Sequence, residues 1–168
     1  KGIKEAAGID GKIKWPNDVL INGKKVCGIL TELSAQMDEL NYIVVGIGIN
    51  ANIEQFPEEV RDKATSLLLE TGKPADRIAL LCRVLEHFEH DYEIFKKTQD
   101  FSMLMEEYNS FLAHRGQEIK VMRGNDEYMC KSGGINRRGE LIVEDSLGRT
   151  REIFSGEVSI RGIHGYSV

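Results

Sequence analysis

The sequence predicts an α+β fold: a mixed β-sheet with flanking helices, followed by a small antiparallel barrel or sandwich. Three observations lead there. Strand-like runs dominate the first 50 residues, a long helical pattern occupies 76–97, and short β-like runs separated by Gly, Asn or Asp fill the chain beyond Gly116. The change of texture sets the expected domains at 1–114 and 115–168.

Residues 1–8 read as the last turns of a helix stopped by a glycine C-cap, so a preceding segment is expected upstream of Lys1. Residues 12–15 alternate polar and apolar, and 19–21 repeat the pattern ahead of Asn22-Gly23, the dipeptide that favours a tight hairpin turn with positive φ. The returning strand, 24 to about 34, carries Val26, Ile29, Leu30 and Leu33, and Gly28 marks a bulge or a close approach. A third strand, 42–50, is a continuous apolar run expected to be buried on both faces. Short helices are expected between Glu58 and Leu69, with Pro57 at a first-turn position. The strongest helix, 76–97, repeats Ile78, Leu81, Leu85, Phe88, Tyr92 and Phe95 at three- and four-residue steps, a stripe expected to face the core, with Asp76 as N-cap. A second helix, 101–113, presents Leu104, Tyr108, Phe111 and Leu112. Five β-like runs follow: 118–122, 127–135, 140–144, 150–154 and 158–161.

With 168 residues, 41% hydrophobic and 29% charged, the chain can bury one ordinary core, or one core and a small satellite. No apolar stretch approaches the roughly 18 residues that cross a bilayer, and the N-terminus lacks a signal pattern, so no membrane partner and a cytoplasmic location are expected. A net charge of -5 argues against wrapping nucleic acid by bulk electrostatics, without excluding a nucleotide locally. Cys27, Cys82 and Cys130 are odd in number and far apart, which fits reduced packing thiols. His87 and His90, beside Glu86 and Glu89, have a spacing that metal sites use, but the apolar stripe turns both outward; they are expected to be solvated, and no metal ligands are assigned. Arg137, Arg138, Arg149 and Arg151 are expected to be balanced by Glu140, Glu144 and Asp145.

The densest chemistry lies in Lys14-Trp15-Pro16-Asn17-Asp18, followed after the hairpin by Cys27-Gly28-Ile29-Leu30-Thr31-Glu32. A lysine at a strand end is a compact point charge that can neutralise a carboxylate or phosphate oxygen, so the arrangement fits a pocket for an activated carboxylic acid. Together with Val45-Gly46-Ile47-Gly48-Ile49-Asn50, these segments resemble, in order and separation, three shared segments of the biotin protein ligases, in particular those of the Bacillus type.

The resemblance implies a class II synthetase-like catalytic domain, with 1–114 its second half, and an SH3-like barrel over 115–168. The family's Gly/Arg-rich loop, which folds over biotin and the adenylate phosphate, would lie N-terminal to all of this. The implied reaction has two steps. ATP and biotin, with Mg2+ shielding the phosphates, give biotinyl-5'-AMP, and a lysine of a biotin carboxyl carrier protein then displaces AMP. Lys14 matches the lysine that contacts the biotin carboxylate and then the acyl-phosphate. Asp18 orients a cation or helps the acceptor lysine lose its proton, with a turn-capping aspartate as the plainer alternative. Asn17 is assigned to the same site and Trp15 to packing. Gly28, Ile29, Leu30, Gly46 and Gly48 would line the biotin and adenylate pockets, where a missing Cβ lets a ligand lie against the strand. Asn50 matches an adenylate-binding asparagine whose amide reaches the purine or a phosphate-bound ion.

Two alternatives remain: a catalytically incomplete binding or dimerisation fragment of such a ligase, and a lipoate-type ligase with related fold and adenylation chemistry. Bacillus-type relatives also carry an N-terminal helix-turn-helix domain and repress transcription when loaded with biotinyl-5'-AMP. The resemblance therefore implies DNA contact only through a domain that these residues do not contain, and a homodimer formed through the sheet edge.

Overall fold

The computed structural model describes residues 1–36, 39–124, 126–154 and 159–162. Helix α1, Gly2–Ala7, ends at Gly8, whose φ of 71° is the left-handed cap that glycine adopts without strain. An antiparallel meander follows, β1 (Lys12–Lys14), β2 (Asp18–Ile21), β3 (Lys24–Gln36) and β4 (Glu39–Ile49), in the order β1-β2-β3-β4. Asn22 and Gly23 have φ of 49° and 78°, the positive pair that their dipeptide predicts. Successive strands joined by short turns must run antiparallel, so the mixed sheet expected from the sequence is antiparallel in every ladder.

Helices α2 (Leu67–Thr71), α3 (Arg77–Thr98) and α4 (Met105–Phe111) come next. Of the short helices expected over 58–69, only α2 forms. Residues 58–63 make successive turns, and at Ala64 the chain bridges to Lys25, which ends them before a regular helix forms. Asp76 caps α3 as expected, its carboxylate accepting from the Ile78 and Ala79 N–H groups.

The face that α3 buries differs from the expectation. Leu80 is buried and Val84, His87, Asp91, Ile94 and Thr98 are half-buried along one side, while Ile78, Leu81, Leu85, Phe88 and Tyr92 are exposed. Helix α1 sits on the Val84 side, close enough that a Cβ on Gly2 would lie 2.9 Å from Val84. Apolar periodicity shows that a stripe needs cover, not which element supplies it. The expectation for β4 fails for the same reason. Tyr42, Ile43, Val44, Val45 and Ile47 are exposed rather than buried on both faces, because β4 is an edge strand and no described element covers it.

Beyond α4, strands β5 (Glu118–Arg123), β6 (Asp126–Ile135), β7 (Leu141–Glu144), β8 (Thr150–Ile153) and β9 (Ser159–Gly162) form a second antiparallel sheet in the order β8-β7-β6-β5-β9. The Val158 end of the last expected strand lies outside the described residues. Closing the expected barrel requires β8 to meet β9. Among the described residues these are the sheet's two edges, and the sheet is open.

One apolar core, Ile21, Val26, Cys27, Ala51, Leu67 and Leu80, joins the first sheet to α2 and α3. The other lies on the second sheet and includes Ile119, Val121, Cys130, Ile135, Leu141, Val143 and Ile153. Leu112 and Trp15 complete it, so the loop between β1 and β2 contributes its tryptophan to the second sheet's core. Trp15 packs, as the sequence suggests.

Candidate functional site

Strand register sorts the motif residues into two faces. Lys14 pairs with Asp18, Asp18 with Gly28 and Gly28 with Gly48, a single row across all four strands. Leu30 pairs with Gly46 one step along the same face. The opposite face carries the row Ile13, Val19, Cys27 and Ile49, with Ile29 paired to Ile47. These side chains line a cleft of about 510 Å³ under α1, α3 and α4. Ile29 therefore points away from Gly28, Leu30, Gly46 and Gly48, with which the sequence grouped it.

Lys14 is 3% exposed. Burial first, then the like charges of Arg161 and Lys25, lower its pKa to about 8 against the opposing pull of Asp18. Lys25 Nζ lies 2.6 Å from Asp18 Oδ1 and stands over Gly28, where an added Cβ would meet it at 2.8 Å. Asp18 thus has the geometry of a partner that orients a cation. Among the described residues, Lys14, Lys25 and Arg161 gather around the Asp18 carboxylate, an arrangement that favours an anion.

The two asparagines are engaged by the fold. Asn17 Nδ2 donates to the Ile29 carbonyl at 2.8 Å while the Ile29 N–H donates to the Asn17 carbonyl at 2.8 Å, locking the motif loop onto β3. Asn50 Nδ2 donates to the Thr65 carbonyl at 3.0 Å, which sets the path from β4 to α2.

Three charged or titratable groups near Lys14 escaped sequence reasoning. Lys25 enters through a bulge between Val19 and Leu20 that shifts the register of β2 on β3. Arg161 comes from β9, and His114 from the turn between α4 and β5, and no local spacing announces either. His114 is fully buried. Burial and the neighbouring Lys14 charge lower its pKa to about 4, so it is neutral near pH 7.

His87 is half-buried, not solvated, with Nε2 2.9 Å from Glu5 Oε1 across the α1–α3 contact, while His90 is exposed. Among the described residues no group of three His, Cys, Asp or Glu side chains is gathered to hold a metal ion. Cys27 and Cys130 are buried thiols whose pKa burial pushes up to about 11, and Cys82 is exposed. Arg138 pairs with Glu140 and Glu152, and Arg149 and Arg151 with Asp145, so three of the four arginines are balanced as expected, with Glu152 rather than Glu144 among the partners. No helix among the described residues is long and apolar enough to cross a membrane.

Residues 1–50, which hold this row of side chains, match the family model described as the Biotin/lipoate A/B protein ligase family. Over 96% of its length the chain superimposes with a TM-score of 0.83 on the biotin protein ligase of Aquifex aeolicus, at 37% identity and covering 69% of that chain. The same Aquifex protein has also been solved in complex with biotin and ATP. The chain is 38% identical to the bifunctional ligase/repressor BirA of Bacillus subtilis over 95% of its own length and 49% of that relative's. It is 32% identical to the biotin--[acetyl-CoA-carboxylase] ligase of Mycobacterium tuberculosis, over 87% of this chain and 52% of that one. It spans about half the length of these curated relatives. The chain belongs to the biotin protein ligase family.

Proposed function

We propose that the protein containing this chain is a biotin protein ligase: it activates biotin with ATP as biotinyl-5'-AMP and passes biotin to a lysine of a biotin carboxyl carrier protein. The observation that carries this reading is the row of Lys14, Asp18, Gly28 and Gly48 across the sheet, found in a fold shared with a ligase solved with biotin and ATP.

Adenylation needs positioning and charge compensation rather than a covalent enzyme intermediate. The biotin carboxylate attacks the α-phosphate and pyrophosphate leaves. The Lys14 ammonium, with few waters to reorganise, offsets the charge on both groups as they meet. The carrier amine then attacks the acyl carbon, and AMP departs with the bonding electron pair. Asp18 holds Lys25 beside this path. Gly46 and Gly48 leave β4 bare enough for a ligand to lie against its backbone, Gly28 makes room for the Lys25 side chain, and Leu30 gives the ligand an apolar neighbour. Asn17 serves by fixing the motif loop, and Asn50 by fixing the loop that would meet the adenylate. ATP and biotin are substrates. The Mg2+ that the family implies has no gathered ligand set among the described residues, and no step is assigned to it.

The second sheet fits an SH3-like barrel, since its last strand returns beside its first, and we place the domain boundary between residues 114 and 115. A cytoplasmic location without a membrane partner accords with the chemistry. The name of the Bacillus subtilis relative, bifunctional ligase/repressor, supports a repressor role, and DNA contact through a further domain and a homodimer are part of the same proposal.

A second reading, a binding fragment completed by another polypeptide segment, is favoured by the bare apolar surface on β3, β4 and α3. Biotin-dependent pyrophosphate release and biotin transfer, measured on the intact protein and on its Lys14→Ala form, separate these. Release that collapses in the variant supports the ligase and the role of Lys14. Full activity without Lys14 removes the site assignment, and an inactive intact protein favours the fragment. Use of lipoate but not biotin would favour the lipoate-type alternative.

A further inference from the structure

Residues 113 and 114 grip the backbone on both sides of Lys14. The Ala113 N–H donates to the Ile13 carbonyl at 2.8 Å, and the Trp15 N–H donates to His114 Nε2 at 3.3 Å. An Nε2 that accepts is unprotonated, so in neutral His114 the proton sits on Nδ1 and is donated to Ser132 Oγ, 2.8 Å away on β6. Ser132 is itself fixed by backbone bonds, its N–H donating to Gln117 and its carbonyl accepting from Gly116. The Trp15 indole Nε1 donates to the Gly139 carbonyl at 3.0 Å, which closes the clamp on the side of the second sheet.

An apolar residue in place of His114 would fill the same space with less desolvation, but it would leave the Trp15 N–H buried without an acceptor. A side chain that accepts from Trp15 at one end and meets the Ser132 hydroxyl at the other satisfies both. A neutral imidazole does so without adding to the positive charge of Arg161 and Lys25 beside the Lys14 ammonium. We infer that His114, oriented by Ser132, is a positioning residue that fixes the Trp15 amide and thereby presents Lys14 to the carboxylate in one geometry. The second sheet is then part of the adenylation machinery rather than an appendage to it. This rests on the reading that Lys14 meets the acid.

The test is biotin-dependent pyrophosphate release by the intact protein as a function of pH, with His114→Ala, His114→Gln, Ser132→Ala and a control, Val143→Ala. Val143 lies in the same core as Trp15 and makes no hydrogen bond through its side chain. With the wild type active, kcat/KM for biotin is expected to fall roughly 10- to 100-fold in His114→Ala, as for other supporting contacts to a site residue. Gln, whose carbonyl can accept from Trp15, recovers part of the loss. The alkaline limb of the profile is set by Lys14 among Asp18, Lys25, Arg161 and neutral His114. It is expected to move to higher pH in His114→Ala and Ser132→Ala as the ammonium gains solvent. Val143→Ala lowers the melting temperature and leaves the limb in place. A limb unmoved in Ser132→Ala and in both His114 variants, or moved equally by Val143→Ala, overturns the inference and leaves the ligase reading standing. Should His114→Ala not fold, Ser132→Ala and His114→Gln decide the matter. An intact wild type without biotin-dependent release rejects the ligase reading and this inference with it.

Discussion

Lys14 carries a charge that its surroundings oppose. Its pKa is about 8 in the fold and 10.5 when solvated. Between those values the folded chain binds fewer protons than the unfolded one, so this group's contribution to stability rises with pH from about 8 to 10.5 and is unfavourable below. An anion at the ammonium reverses the preference. Biotin binding near pH 8 is therefore expected to take up protons, with affinity falling as pH rises further. Calorimetry in two buffers of different ionisation enthalpy reads this directly, and equal heats in both would contradict it. The same reasoning gives Lys14→Ala a loss of roughly 100- to 1000-fold in kcat/KM for biotin by steady-state kinetics, the scale of removing one preorganised donor. His114 obeys the same sign in a lower window. Its folded pKa of about 4 lies below the unfolded 6.5, so stability is lost as pH falls from 6.5 towards 4. Thermal melts from pH 7 to 4 are expected to show a shallower decline for His114→Gln than for the wild type; parallel declines would place the titration elsewhere.

At the scale of elements, a single amide ties α4 to the second sheet. Asn109 Nδ2 donates to the Ile135 carbonyl at 3.3 Å and its Oδ1 accepts from the Ile135 N–H at 2.7 Å. Gly134, at φ 116°, admits this contact, since a Cβ there would lie 2.8 Å from Asn109 Oδ1. Asn109→Leu, similar in size but without the bonds, leaves two buried backbone groups unpaired and is expected to destabilise by about 1–3 kcal/mol each. Urea unfolding checks it, and an unchanged midpoint would show that water or another group takes over. Such long-range ties were not legible in the sequence, whereas local signals were. Asn22-Gly23 fixed the hairpin, Asp76 the start of α3, and the Gly-, Asn- and Asp-punctuated tail its strands, because each depends on neighbours within a few residues. The row through Lys14, Asp18, Gly28 and Gly48 was half-legible. The motifs gave its members, but the bulge at Val19 and Leu20 that brings Lys25 over Gly28 has no sequence mark.

Over the whole molecule, the two cores interlock through Trp15 while a broad apolar surface stays bare. Leu33 on β3 and Ile43, Val45 and Ile47 on β4 are exposed on the face with Ile29, Leu33 at 68%, as are Leu81, Leu85, Phe88 and Tyr92 on α3, while Leu30, Tyr42 and Val44 are exposed on the opposite face of the sheet. Periodicity foretold that these residues seek burial; it could not say that the cover lies outside this chain's described elements. An exposed patch of this kind beside an edge strand, whose outward backbone groups can pair with another strand, drives association. The 168-residue chain alone is therefore expected to self-associate as concentration rises, measured by sedimentation equilibrium. Lysines at Ile43 and Val45, two positions on one face of β4, should weaken that association by desolvating charge within the contact. In the intact protein, if another segment covers β4, the same pair of lysines should lower the melting temperature instead, because the charges would be buried without partners. A chain that stays monomeric at every concentration, together with an intact protein whose melting is unmoved by both lysines, would mean that the apolar surface of β4 is stable in water and needs no partner at all.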